Sequence, residues 1–202
     1  MRGGRMPTVR ADALRNRARI LAAATDVFAE HGPDAALDDI AKRAAIGNAT
    51  VYRHFADRTS LLHEVVRCVM TRTADAAELA VESSPDSYAA LCGFVHAVAD
   101  QRITILCPLL SSADHAGLAD LKQRVITAVD TLVTAAQQAG QIRSDVSFAD
   151  VLMALAQLTR PPAGRSWSDV EPFAHRSLRI YLDGLRAESD LPGRPATVDD
   201  LR

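Results

Sequence analysis

From Asp12 the apolar residues of this 202-residue chain recur at helical steps: Leu14, Ile20, Leu21, Ala24, Val27 and Phe28 form one stripe. The stripe stops at His31-Gly32-Pro33, where glycine can take a left-handed C-terminal position and proline cannot continue the helix. A short second helix is predicted over about residues 37–44, with Ile40, Ala41 and Ala44 inward. A break at Ala45-Ile46-Gly47 leads to a third helix over about 48–55, with Val51 and Phe55 inward. Asp57 then has the chemistry of an N-cap for a long fourth helix, to about residue 81. Further helical stretches follow at about 87–101, 103–112, 118–139, 148–159 and 169–187. Ser83-Ser84-Pro85-Asp86, residues 114–117, residues 140–147 and Pro161-Pro162-Ala163-Gly164 separate them. No alternating strand pattern of useful length and no internal repeat is present. The fold class is therefore all-α, about nine helices: an N-terminal three-helix head on a C-terminal helical bundle body.

The two ends read differently from the middle. Residues 1–10 hold Arg2, Arg5 and Arg10 among glycines and a proline, the composition of a flexible basic arm, and Pro192-Gly193-Arg194-Pro195 reads as a loose tail. Apolar residues make up 48% of the chain, enough for a sizeable core. Residues 1–60 carry a balance of +3 and residues 61–202 a balance of −5, so a mildly basic head sits on an acidic body and points toward a polyanion. The opening residues predict no secretory leader, and no apolar run approaches the roughly 18 residues of a membrane span. A cytoplasmic setting is expected.

Three cysteines, Cys68, Cys92 and Cys107, are scattered and lack CxxC or Cys/His spacing, so neither a disulfide frame nor a zinc site is indicated. Cys92 and Cys107 also lack the adjacent basic residues that would make a redox switch. The six histidines are dispersed, with no acid or thiol partner at a ligand spacing that stands out, and no nucleophile elbow, phosphate loop or acid pair appears. The reading is non-catalytic, with no cofactor and no metal.

The second and third helices, joined by a tight turn, form a helix-turn-helix, in which the third helix enters the DNA major groove. Outward on it stand Asn48, Ala49, Thr50, Tyr52, Arg53 and His54. Asparagine pairs with adenine, arginine with guanine or phosphate, and threonine and tyrosine with phosphate. From this pattern alone, a helical hairpin with a merely polar face stays open beside DNA binding. So does a protein-interaction adaptor, although such an adaptor would have no use for these outward groups.

The run Asp38-Asp39-Ile40-Ala41-Lys42-Arg43-Ala44-Ala45-Ile46-Gly47-Asn48-Ala49-Thr50-Val51-Tyr52-Arg53-His54-Phe55, followed by Arg58 and Leu61-Leu62, resembles the DNA-binding head of the tetracycline-repressor (TetR) family. Arg19-Ile20-Leu21-Ala22-Ala23-Ala24 and Phe28-Ala29-Glu30-His31-Gly32 extend the match to about residues 10–66. The resemblance implies a DNA-binding domain over 10–57 and a ligand-binding and dimerisation domain over 58–190. It implies that Thr50, Tyr52 and His54 meet phosphate or bases and that Asn48, Ala49 and Arg53 line the sequence-reading surface. Arg58 would bind a phosphate at a helix N-terminus, and Lys42 and Arg43 would flank the groove. Two positions depart from the family. Ala45 stands where glycine is usual, at a cost of roughly 1 kcal/mol if the backbone there is left-handed. Ala36 stands near where serine or threonine caps the second helix, a loss of about 1 kcal/mol.

The resemblance further implies a homodimer on a pseudo-palindromic operator, its two heads about 34–36 Å apart, acting as a repressor released by a small, largely apolar, unidentified effector. The dimer interface would draw on Val151, Leu152, Leu155 and Leu158 and on Phe173, Leu178, Tyr181, Leu182 and Leu185. These residues would serve intramolecular packing equally well. The pocket would draw on Leu91, Phe94, Val95, His96, Val98, Arg102, Ile105, Cys107, Leu110, Met153 and Trp167, with His96 and Arg102 as its polar, orienting groups.

Overall fold

The computed structural model describes residues 6–101, 117–162, 165 and 167–201. Among these residues the chain is all-helical, and it divides into two compact units, residues 1–65 and 66–202. The expected helix over 103–112 lies outside the described residues.

The first unit contains α1 (Met6–His31), α2 (Leu37–Arg43), α3 (Asn48–His54) and the start of α4 (Arg58–Ser83). Helix α1 begins at Met6, so residues 6–10, expected as part of a flexible arm, are helical. Pro7 falls in the first turn, where a backbone N–H has no helical partner to lose. Ile20, Ala24, Val27 and Phe28 of α1 bury themselves with Ile40, Val51, Phe55, Leu61 and Val65. Leu14, assigned to the same stripe, is 69% exposed. Length explains the difference: α2 is about 10 Å long and packs on α1, which at 26 residues spans about 39 Å, so one short helix cannot cover the whole stripe. Gly32, at φ 82°, ends α1 as the sequence suggests, its N–H donating to the Phe28 carbonyl at 2.9 Å.

The turn from α2 to α3 fixes where α3 begins. Ile46 N–H donates to the Ala41 carbonyl and Ala45 N–H to the Lys42 carbonyl, both at 3.1 Å, the paired bonds of a Schellman ending. That ending needs a left-handed residue after the cap, and Ala45 supplies it at φ 51°. At the other end of α2, Ala36 is the N-cap and its side chain makes no capping bond. Asp57 does cap α4: its Oδ1 accepts from Ser60 N–H at 2.7 Å, and this bond holds the carboxyl below its usual range.

The second unit contains the remainder of α4 with α5 (Ser87–Asp100), α6 (Ala119–Gln138), α7 (Phe148–Leu158), α8 (Trp167–Gly184) and a 3-10 turn, Val198–Leu201. Helix α5 packs on α6 and α8, and α7 packs on the same two helices. Their apolar faces meet in one core around Leu91, Phe94, Val98, Leu132, Leu155, Leu178 and Leu182. Asp86 caps α5 by accepting from Ala89 N–H at 2.8 Å, and Ser147 and Asp150 form a reciprocal capping box on α7.

The tail is not loose. Ala196 N–H donates to Asp150 Oδ1 at 3.0 Å, and Ser147 Oγ donates to the Ala196 carbonyl at 2.7 Å. Arg194 forks onto Asp200, whose carboxylate also accepts from the Thr197 N–H and hydroxyl. Composition alone suggested disorder. The anchoring partners lie 46 and 49 residues away in sequence.

Two substitutions should stabilise the head. Ala45→Gly removes the left-handed penalty and should raise stability by about 1 kcal/mol. Ala36→Ser restores a cap worth about 1 kcal/mol. In urea unfolding at fixed protein concentration the two gains should add, because the sites share no partner. An unchanged midpoint for Ala45→Gly would contradict the strain argument.

Candidate nucleic-acid interface

Helix α3 buries Val51 completely, with Phe55 just after it nearly so, and turns Ala49, Tyr52 and Arg53 to solvent. Thr50 and His54 are half-buried at the edges of that face. Arg53 folds back along its own helix, its Nε donating to the Ala49 carbonyl at 3.2 Å. Asn48 is exposed, but its amide donates to the Asp38 carboxylate on α2. Lys42 is exposed at the end of α2.

The two remaining basic residues are already partnered. Arg43 donates through both terminal nitrogens to Glu30, at 3.3 and 2.6 Å, with Asp26 at 3.8 Å, and hydrogen bonding to Glu30 raises its pKa. Arg58 donates to the Asp34 carbonyl at 3.0 Å and approaches the Asp34 carboxylate at 3.2 Å, in the first turn of α4. Asp34 is 89% exposed, so this pair is screened and readily exchanged for another anion. Arg43, by contrast, braces α2 against α1.

Sequence reasoning missed two arginines that hold this surface in place. Arg19 Nη2 donates to the carbonyls of Ala44 and Ala45, at 2.6 and 3.2 Å, and so supplies the donors that the end of α2 lacks. Arg17 bonds Glu64 of α4 and lies 5.2 Å over the Phe55 ring. No local spacing marks either residue, since their partners lie 25 to 47 positions on.

In the body, Leu91, Phe94, Val95 and Val98 are interior. Trp167 is buried, with its ring edge toward His175 at a centroid distance of 6.4 Å. Arg102, Ile105, Cys107 and Leu110 lie outside the described residues. A cavity of about 640 Å³ lies against α7, α8 and the tail, lined by Met153, Ala154, Gln157, Tyr181, Leu185 and Leu191 among others. Of the described residues assigned to a pocket from sequence, Met153 alone is in its wall. The Tyr181 hydroxyl is buried there without a hydrogen-bond partner among the described residues, and burial raises its pKa.

The residues assigned to a dimer seam are largely used within one chain. Val151, Leu152, Leu155, Leu178, Leu182 and Leu185 are buried in the body's own core. Leu158 and Tyr181 are half-buried. Phe173 stays 67% exposed, and so does Ile180 at 63%, one heptad further along α8 and absent from the sequence assignment. The histidines also differ from expectation. His96 with Asp100 on α5, and Glu171 with His175 on α8, each stand four residues apart, the spacing that puts a pair on one helical face.

Comparison with known proteins agrees with this geometry. Residues 20–65 match the model for bacterial regulatory proteins of the tetR family, and residues 86–187 match that of the SbtR-like transcriptional regulator C-terminal domain. A TetR transcriptional regulator from Streptomyces coelicolor is 31% identical, with 86% of this chain and 99% of that one covered and a TM-score of 0.58. A TetR regulator from Mycobacterium vanbaalenii is 30% identical, covering 89% and 99%, with a TM-score of 0.57. The regulator LfrR from Mycobacterium smegmatis, solved in complex with proflavine, is 25% identical over 88% and 98% of the two chains, with a TM-score of 0.63. By sequence, the curated repressor LfrR of Mycolicibacterium smegmatis is 44% identical over 77 residues, 38% of this chain and 40% of that protein. The match thus spans about two-fifths of that relative's length.

With a helix-turn-helix head and a helical body that both match, the chain belongs to the TetR family of DNA-binding transcriptional regulators, a non-enzymatic class. Among the described residues no helix is long and apolar enough to cross a membrane.

The role given to Arg19 has a direct check. Arg19→Met keeps the stem but leaves two carbonyls short of a donor, and should cost about 1–2 kcal/mol. Urea unfolding of the variant beside wild type measures it. A variant as stable as wild type would show that water replaces the guanidinium without loss.

Proposed function

We propose that this regulator is a homodimeric repressor that reads a pseudo-palindromic operator through α3 and leaves it when a small, largely apolar molecule enters the body. The DNA-binding part is residues 10–57 and the sensing and dimerisation part 58–190. The observation that carries the DNA reading is the outward face of α3, where Ala49, Tyr52 and Arg53 are exposed on a helix whose start is set by a bonded turn. Arg53 and Asn48 read base edges. Tyr52, Thr50 and His54 meet the backbone. Arg58 trades the exposed Asp34 carboxylate for a phosphate at the α4 N-terminus. Lys42 adds a screened charge, and Arg43 contributes by bracing α2.

Release by a ligand is supported by the relative that holds proflavine and by the cavity beside α7 and α8. Helix α4 runs from Arg58 to Ser83. Ligand and DNA must then weaken each other by the same factor, typically 5–150-fold. Selection of bound sequences from random duplex DNA, followed by a screen for compounds that release the selected site, tests both halves.

On a selected operator, Arg53→Ala should lose roughly 1–3 kcal/mol and relax the preference at one base pair. Arg58→Ala should weaken all sequences alike and lower the salt slope by about 1. A uniform loss from Arg53→Ala in a titration of single-base variants would remove it from base reading.

For the dimer, Phe173 and Ile180 are the apolar groups of α8 left to a partner. Phe173→Glu should give folded monomer in sedimentation. Leu178→Glu, at a fully buried position, should unfold the body. A Phe173→Glu dimer of unchanged affinity would move the interface elsewhere.

A further inference from the structure

Helices α5 and α8 face each other with two matched pairs of side chains. His96 and Asp100 lie four residues apart on α5, and Glu171 and His175 four apart on α8. The ligating atoms of Asp100, Glu171 and His175 all lie within 4.8 Å of one another. His175 Nε2 is 3.0 Å from Asp100 Oδ1, and its other nitrogen, Nδ1, is 2.8 Å from Nδ1 of His96. The two imidazoles stack with centroids 5.1 Å apart, and the Trp167 edge backs His175.

We propose that Asp100, Glu171 and His175 bind a borderline divalent cation of the zinc class, clamping α5 to α8, with His96 as the positioning residue that orients His175. Three lines of chemistry carry this. First, the donor set of one imidazole and two carboxylates, on facing helices of a bundle, suits zinc, cobalt or nickel. Magnesium and calcium prefer shells made wholly of oxygen. Second, the spacing is close to what the ion needs. Tetrahedral bonds near 2.1 Å hold ligand atoms about 3.4 Å apart. Asp100 and Glu171 are both exposed, so their carboxylates can rotate to close the remaining gap at little cost. Three protein ligands leave a fourth position for water.

Third, the hydrogen bonds form the relay that an orienting histidine requires. Without an ion, the contact to an ionised Asp100 calls for His175 Nε2–H as donor, which leaves His175 Nδ1 to accept from His96 Nδ1–H. An ion on His175 Nε2 takes that nitrogen's lone pair, so the ring's proton must sit on Nδ1 and donate to His96 Nδ1. His96 then carries its own proton on Nε2, and no proton is gained or lost. A ligating histidine held this way by its second nitrogen is the usual arrangement. The nearby guanidinium of Arg179 is already paired with Asp183, at 3.1 Å.

The test uses the full-length protein, freed of metal with a chelator and desalted. Zinc(II) is titrated by calorimetry, cobalt(II) by its visible absorption, and magnesium is the control. Wild type should take one zinc per chain at this site and raise its thermal midpoint. Glu171→Gln, an exposed change that leaves the core untouched, should weaken binding at least ten-fold, and His175→Ala should abolish it. His96→Ala should weaken binding by about 10–100-fold, and His96→Asn, which restores an acceptor near the Nδ1 position, should recover most of it. Zinc bound as tightly by Glu171→Gln and His175→Ala as by wild type would overturn the site. So would no uptake at micromolar zinc, or magnesium binding as well as zinc. An unchanged affinity in His96→Ala would overturn the orienting role. The readout is metal uptake, so its failure leaves the DNA reading untouched, and the reverse also holds.

Discussion

Everything that α3 presents depends on how the chain leaves α2. An alanine forced to φ 51° closes that helix, and the carbonyls it exposes are taken up by Arg19 from α1. The turn therefore sets α3 by long-range hydrogen bonding in addition to local propensity. A glycine would adopt the same backbone without strain, but it would do so equally readily in the unfolded chain. Part of any gain from glycine is thus returned as entropy. The arginine, reaching from α1, ties the end of α2 and the turn into α3 to α1. Arg43 is held by the same kind of long-range bond: its charge is satisfied by Glu30, which is itself only partly exposed.

The body is held by a different balance. Its core is built mostly from small and branched apolar side chains, and two of its helices begin at a polar cap. Asp86 closes α5, and Ser147 with Asp150 closes α7. Tyr88 shows how tightly the last helix is bound in. Its hydroxyl donates to Asp183 at 3.0 Å, its N–H donates to Gln141 Oε1 at 2.9 Å, and the Arg186 guanidinium lies 4.9 Å over its ring. Burial and the Asp183 contact push the Tyr88 phenol well up from its ordinary range.

Much of this was legible in the sequence, because it rests on local patterns. The helical period of α1, the Gly32 stop, the Asp57 cap and the Val51–Phe55 inner edge are all written within a few residues. The missing cap at Ala36 and the left-handed Ala45 were legible as departures from a family pattern. What could not be read depends on distant partners. Arg17 and Arg19 look like any solvated charges on a helix until their partners are known. Leu178 and Leu182 have the spacing of a dimer seam and of an inner face alike, and only the packing of α5 and α7 against α8 decides between them. Neither His96–Asp100 nor Glu171–His175 stands out alone. Their meaning comes from two helices being brought together.

The strap that ends the chain has a consequence for how the sequence can drift. In it the Ser189 carbonyl accepts from Arg143 Nη2, and two further anchoring bonds join the Asp150 carboxylate and the Ser147 hydroxyl to the backbone N–H and C=O of residue 196. Every residue type offers that carbonyl, and every type but proline offers that N–H. The identity of residue 196 is thus almost free to change, while Ser147 and Asp150 are not. In the segment between Leu185 and Ala196 length is constrained, beside the two positions that act through their own backbone or side chain, Gly193 at φ 86° and Arg194 on Asp200. A single inserted or deleted residue would carry the wrong backbone groups past the capping box, whereas many substitutions would pass unnoticed. A terminal segment rich in proline and glycine would then look dispensable in composition and yet hold a constant span.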